Sequence, residues 1–130
     1  MAVLMPNEAV TVLLVDGDLQ HCQACKATLE SQGYRVVWTS SGREALAIFS
    51  HQRVDLVVAD VRLSDMGGFE FIGSLAAQRQ RVPIVVNTAD PAFRSSFRSW
   101  AADAIIPKSV DCDELARQVQ ALLQPQRFVS

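Results

Sequence analysis

Short apolar runs alternate with longer mixed stretches along this chain, and each run gives way to polar residues. Thr11-Val12-Leu13-Leu14-Val15 leads into Asp16-Gly17-Asp18, and Val54-Asp55-Leu56-Val57-Val58-Ala59 leads into Asp60. Pro83-Ile84-Val85-Val86-Asn87 leads into Thr88-Ala89-Asp90, and Asp103-Ala104-Ile105-Ile106-Pro107 stops at Lys108. Tyr34-Arg35-Val36-Val37-Trp38 supplies a fifth strand. Parallel strands buried on both faces read as nearly unbroken apolar stretches. Between them, residues 19–32 have helical composition and stop at Gly33, which takes the left-handed conformation without a Cβ penalty. Ser41-Gly42-Arg43-Glu44 reads as a capping box, the serine accepting from a backbone N–H while the glutamate reaches back. Ala45, Leu46, Ile48 and Phe49 give that helix its apolar side. A third helix is expected over 69–80 with Phe69, Phe71, Ile72, Leu75 and Ala76 apolar, and a weak one over 92–100. Asp111 caps a last helix, with Glu114 following and Leu115, Val119, Leu122 and Leu123 facing inward. The alternation predicts an α/β fold: a doubly wound, five-stranded parallel sheet flanked by five helices.

Open sheets of this kind place their chemistry beyond the carboxyl ends of the strands. One rim then carries Asp60, Asp16, Thr88 and Lys108. The length of 130 residues, with 49% hydrophobic and 20% charged, suits one domain over 10–124 with tails at 1–9 and 125–130. The net charge of −2 and the absence of a basic block argue against direct nucleic-acid binding or an anionic membrane surface. The apolar stretches are of strand length, and Met1-Ala2-Val3-Leu4-Met5-Pro6 lacks the features of a signal peptide, so a cytoplasmic location is expected. Three cysteines, Cys22, Cys25 and Cys112, are an odd number and sparse for a disulfide scaffold, which points to a reducing compartment and packing roles.

The order of motifs resembles the receiver domain of two-component response regulators. The resemblance spans about 12–123 and rests on four segments in the family's order and spacing. These are Leu13-Leu14-Val15-Asp16; Asp55 to Asp60 followed by Leu63 and Met66-Gly67-Gly68-Phe69; Pro83 to Ala89; and Ala101-Ala102-Asp103 leading to Lys108. It implies the strand order 2-1-3-4-5 and phosphoryl transfer from a phosphohistidine, on a histidine kinase or phosphotransfer protein, to Asp60. It also implies Mg²⁺ held by Asp60, Asp16, the backbone carbonyl of Arg62 and waters, in keeping with that ion's preference for oxygen ligands. Lys108 would pair with the phosphoryl oxygens, and Thr88 and the Ala89 backbone N–H would donate to them. The sequence leaves open whether Asp18 joins the metal or caps the first helix. The implied module is a switch rather than a metabolic enzyme, with at most self-catalysed phosphotransfer and dephosphorylation. A downstream protein or output domain would bind the face made by 92–100, the fifth strand and the last helix, and a homodimer is left open.

Departures from the family pattern qualify this. Receivers normally place two adjacent acids after the first strand, and here the second position is Gly17, so Mg²⁺ should bind weakly. Ile105 occupies the position of the aromatic ring that commonly reports phosphorylation. Ser64 and Ser109 replace common prolines. These departures support a pseudo-receiver, a protein-interaction module independent of phosphorylation, as the alternative. Cys22-Gln23-Ala24-Cys25 after a strand raises a remoter one, a thioredoxin-like dithiol oxidoreductase. Against it, both cysteines fall inside the first helix, away from the amino terminus that lowers a thiol pKa. His21 and His51 have no partners at metal-ligand spacing and read as surface or half-buried residues. No phosphate-binding glycine loop or nucleophile elbow occurs, which leaves nucleotide hydrolysis and acyl transfer without support.

Overall fold

The alternating pattern folds as β1 (Thr11–Val15), α1 (Leu19–Ser31), β2 (Arg35–Thr39), α2 (Gly42–His51), β3 (Leu56–Ala59) and α3 (Gly68–Ala76). β4 (Ile84–Thr88), β5 (Ala104–Pro107) and α4 (Asp113–Leu123) complete the described elements. The structure, a computed structural model, describes residues 10–78, 81–89, 102–108 and 112–123. The helix expected over 92–100 and the cap at Asp111 lie outside these residues. The five strands pair in parallel and the sheet order is β2-β1-β3-β4-β5, as expected.

Successive side chains of a strand point to opposite faces, and the core divides accordingly. Val12, Leu14, Leu56, Val58, Val85 and Ile106 meet Cys22, Cys25 and Leu29 of α1 and Leu115 and Val119 of α4. Leu13, Val15, Val57, Ala59, Ile84 and Val86 meet Ala45 and Phe49 of α2 and Phe71, Ile72 and Leu75 of α3. Burying such a side chain is worth about 1.5–3 kcal/mol. Truncating Phe49, which is 1% exposed, to alanine would cost about 3–5 kcal/mol.

Local expectations hold with three corrections. Gly33 ends α1 at φ 97°, as its sequence position suggested. α3 starts one residue earlier than expected and ends at Ala76 rather than near 80; its buried stripe is Gly68, Phe71, Ile72 and Leu75, and Phe69 and Ala76 fall off it and are exposed. Gly68 is required there, because a Cβ would lie 2.6 Å from the Val61 carbonyl oxygen and 2.7 Å from its Cα. The capping box is half as drawn. Ser41 Oγ accepts from Glu44 N at 3.0 Å, but the Glu44 carboxylate takes the hydroxyl of buried Thr39 instead of reaching back. The third correction concerns the cysteines. Cys25 and Cys112 are disulfide-bonded across a separation of 87 residues, with Cα atoms 5.4 Å apart, and Cys22 remains a buried free thiol.

Candidate functional site

Strand register converges the chemistry on one rim. Val15 pairs with Ala59 at the ends of β1 and β3, and the Asp60 N–H donates to Val15 O at 2.9 Å, so Asp16 and Asp60 emerge side by side. Thr88 pairs with Pro107 at the ends of β4 and β5, and the Lys108 N–H donates to Thr88 O at 2.9 Å. Lys108 then reaches back across the rim, its Nζ 2.9 Å from the Asp16 carboxylate and 2.9 Å from Asp60 Oδ2. Asp16, Asp60 and Thr88 are all buried.

Two carboxylates thus share one ammonium. Burial disfavours the Lys108 charge, but the hydrogen bonds and charges of Asp16 and Asp60 outweigh it and raise its pKa. Burial raises the Asp16 pKa, against the Asp18 N–H at 2.9 Å and the Lys108 ammonium, which lower it. The Asp16 backbone is also held: its carbonyl accepts from Trp38 Nε1 at 2.9 Å and from the Cys22 thiol at 3.5 Å. Asp60 Oδ1 differs from every other buried side-chain polar atom among the described residues, for it is buried and accepts no hydrogen bond. Asp60 lines an open pocket of about 470 Å³ together with Gly17, Asp18, Arg62, Ala89 and Lys108 among others.

Asp18 acts as the N-cap of α1, its carboxylate accepting from His21 N at 3.2 Å while still lining the pocket. Gly17 is not needed for close approach, since an added Cβ would meet only Arg62 O, at 3.8 Å. Ile105 is half-buried on β5 beside Val86 and packs into the cluster under α2 and α3. Ser109 lies outside the described residues.

The sequence missed two groups near the rim. His21 is not without partners: its Nε2 lies 2.9 Å from Asn87 Nδ2 and 3.4 Å from Cys25 Sγ. Burial, then the Lys108 charge, lowers its pKa. The other is Asp65, whose carboxylate accepts from Ser41 Oγ at 2.7 Å, Gly42 N at 2.8 Å and Arg43 N at 3.1 Å, closing the amino terminus of α2. The turn-like run around Asp65 was visible in the sequence, whereas its partners lie more than twenty residues upstream.

The dithiol reading finds no support. Cys25 bonds Cys112 rather than Cys22, whose thiol is pushed up to about 12 by burial and by the Asp16 charge. β4 and β5 also run parallel, where a thioredoxin-like fold needs a hairpin.

A five-stranded 2-1-3-4-5 sheet with two acids and a lysine at its carboxyl rim has the architecture of a CheY-like receiver. The profile of the response regulator receiver domain matches residues 12–120, and the chain belongs to that family. It is 31% identical over 122 residues to the transcriptional regulatory protein ZraR of Escherichia coli K12, covering 92% of this chain and 27% of that protein. It is 29% identical over 120 residues to the probable transcriptional regulatory protein TcrX of Mycobacterium tuberculosis, covering 91% and 51%. The chain therefore spans about a quarter to a half of these curated relatives. Among solved structures, response regulator TrrA of Thermotoga maritima in complex with Mg²⁺-BeF superimposes with a TM-score of 0.82 at 32% identity, covering 88% of this chain and 99% of that one. The receiver domain of sensor histidine kinase PA1611 of Pseudomonas aeruginosa, with magnesium in its active-site cleft, gives 0.81 at 27%, covering 90% and 99%. This chain is a receiver domain of the two-component signalling class. No helix among the described residues is long and apolar enough to cross a membrane.

Proposed function

We propose that this receiver accepts a phosphoryl group on Asp60 from the phosphohistidine of a histidine kinase or phosphotransfer protein. The added charge then changes its affinity for a downstream protein or output domain. The observation that carries this reading is Asp60 Oδ1, a buried carboxylate oxygen with no hydrogen bond, while Oδ2 is held by Lys108. A buried acceptor left unmade costs about 1–3 kcal/mol. A nucleophile keeps such a lone pair because donation to phosphorus needs it.

Oδ1 attacks phosphorus, the O–P bond forms as the P–N bond to imidazole breaks, and the imidazole leaves with the electron pair. A carboxylate has no proton to lose, so the step needs no base; positioning and charge stabilisation are the protein's contribution. Lys108 supplies the cation, already 2.9 Å from Asp60. The Thr88 hydroxyl and the Ala89 N–H would donate to the remaining phosphoryl oxygens.

The donor set fits Mg²⁺: it consists of oxygens, and one of them is buried without a partner. Asp16, Asp60 and the Arg62 carbonyl would hold the ion, with Asp18 partly committed to its cap. When bound, it neutralises charge on the phosphoryl oxygens. Gly17 removes one carboxylate, so the ion binds weakly. We place the protein in the cytoplasm, with output through the face of β5 and α4.

Incubation with Mg²⁺ and acetyl phosphate, followed by intact-mass and peptide analysis, tests the reading. One phosphoryl group on the peptide containing Asp60, lost in Asp60→Ala, supports it. No modification at millimolar metal favours a phosphorylation-independent interaction module.

A further inference from the structure

We propose that Cys25 and Cys112 are a reversible redox-modification site, a dithiol that a small-molecule disulfide converts to a bond restraining the two chain segments that carry Asp16 and Lys108. This inference does not depend on phosphoryl transfer to Asp60.

The pairing is native in geometry. The Cα atoms lie 5.4 Å apart, inside the range of about 4.4–6.8 Å that disulfides occupy. Both cysteines are buried in the cluster between the sheet, α1 and α4. Cys22 is no competitor, since its thiol points to the Asp16 carbonyl.

What makes the bond more than a brace is where its two arms lead. From Cys25 the chain runs back along α1 to the acid loop at Asp16. From Cys112, which precedes α4 and whose carbonyl accepts the Ala116 N–H at 2.9 Å, it runs back to Lys108. Those far ends meet in the 2.9 Å contact between Lys108 and Asp16. The disulfide and the ion pair therefore close one ring, and reduction opens its covalent side, leaving the ion pair and the shared core packing of α1 and α4. His21, one turn before Cys25, ties the same place to β4 through Asn87. The His21, Cys25 and Cys112 ligand atoms lie within 4.8 Å of one another, as a soft metal would require. Here, however, the two sulfurs are bonded to each other, which favours the redox reading.

Cytosolic disulfides are usually transient or redox-sensing, so, resting on the cytoplasmic placement proposed above, the bond is expected to be reversible. Both thiols lose their protons, a Cys25–Cys112 bond forms, and the reagent's sulfur–sulfur bond takes up the electron pair and leaves as two thiols. Because Cys25 is 0% exposed and Cys112 4%, exchange awaits local opening and is slow in the native protein.

The full chain is equilibrated in glutathione buffers from reduced to oxidised, quenched with acid, alkylated and mapped. A single Cys25–Cys112 linked peptide pair should appear and disappear with the buffer ratio, in wild type and in Cys22→Ser, and be lost in Cys112→Ser. The amide NMR signals of Asp16 and Lys108 should shift between the two forms, and the oxidised form should melt about 10 °C higher. A pair that involves Cys22, no linked pair at any ratio, or unmoved Asp16 and Lys108 signals would overturn the proposal. Should Cys112→Ser fail to fold, the wild-type comparison alone decides.

Discussion

Asp60 and Asp65 leave the same loop between β3 and α3 and meet opposite conditions. Asp65 faces the amino terminus of α2, where a hydroxyl and two backbone N–H groups hold it. Those bonds, Ser41's first, bring its pKa down to about 2. Helix amino termini favour anions, and this carboxylate is chemically spent on holding the loop to α2. Asp60 has one oxygen on Lys108 and the other buried with nothing to accept from. A saturated carboxylate holds structure, and an unsaturated one in a pocket is available for reaction.

The largest expected effect divides the two. Asp60→Ala should abolish phosphorylation by acetyl phosphate with little change in Tm, since it removes an unmet buried oxygen while Lys108 keeps its pairing with Asp16. Asp65→Ala should lower Tm and retain phosphorylation within a few-fold. Intact mass and thermal denaturation on both variants would break the comparison if the two behaved alike. Next, Lys108→Ala should slow the initial rate of phosphorylation by about 100-fold, the scale for losing one preorganised donor.

Gly17→Asp sharpens the Asp60 side. The space for a side chain exists beside Arg62 O, and calorimetry should show Mg²⁺ affinity rising about tenfold, about 1.4 kcal/mol. On the Asp65 side, Ser41→Ala removes both the N-cap and Asp65's hydroxyl partner, and urea titration should show a loss of about 1 kcal/mol.

The smallest effect is on acid stability. The hydrogen bonds from Ser41, Gly42 and Arg43 bring the Asp65 carboxyl down to about 2 in the folded protein, from an ordinary value of 3.8. Its contribution is therefore complete above about pH 4 and lost as pH falls through 2. Asp65→Asn should flatten that part of the stability curve, measured by denaturation from pH 5 to 2.

How far the sequence reached follows from which contacts are local. β1, β3 and β4 were legible because burial on both faces demands unbroken apolar runs. The polar residue ending each run then fell on one rim. Strand order came through the family resemblance, as did the roles proposed for Asp16, Thr88 and Lys108. Illegible were contacts made across crossovers: Asp65 with Ser41, Gly42 and Arg43, His21 with Asn87, and Cys25 with Cys112. Periodicity reports what a residue does for its own element, and these pairings depend on how elements stack. Glu44 is the same lesson at short range. A capping box expects it at Ser41 N, but Thr39 Oγ1 already accepts that N–H at 3.1 Å, and the buried Thr39 hydroxyl claims the carboxylate.

Trp38 sits on the edge strand, 37% exposed, with its indole N–H on the Asp16 carbonyl. An indole donor generally finds a partner, and this one has chosen the backbone of the acid loop. Emission from that ring follows its hydrogen bond and its wetting. With Trp100→Phe leaving Trp38 as the sole tryptophan, the protein carries an optical gauge of its own acid loop, readable in real time without a label.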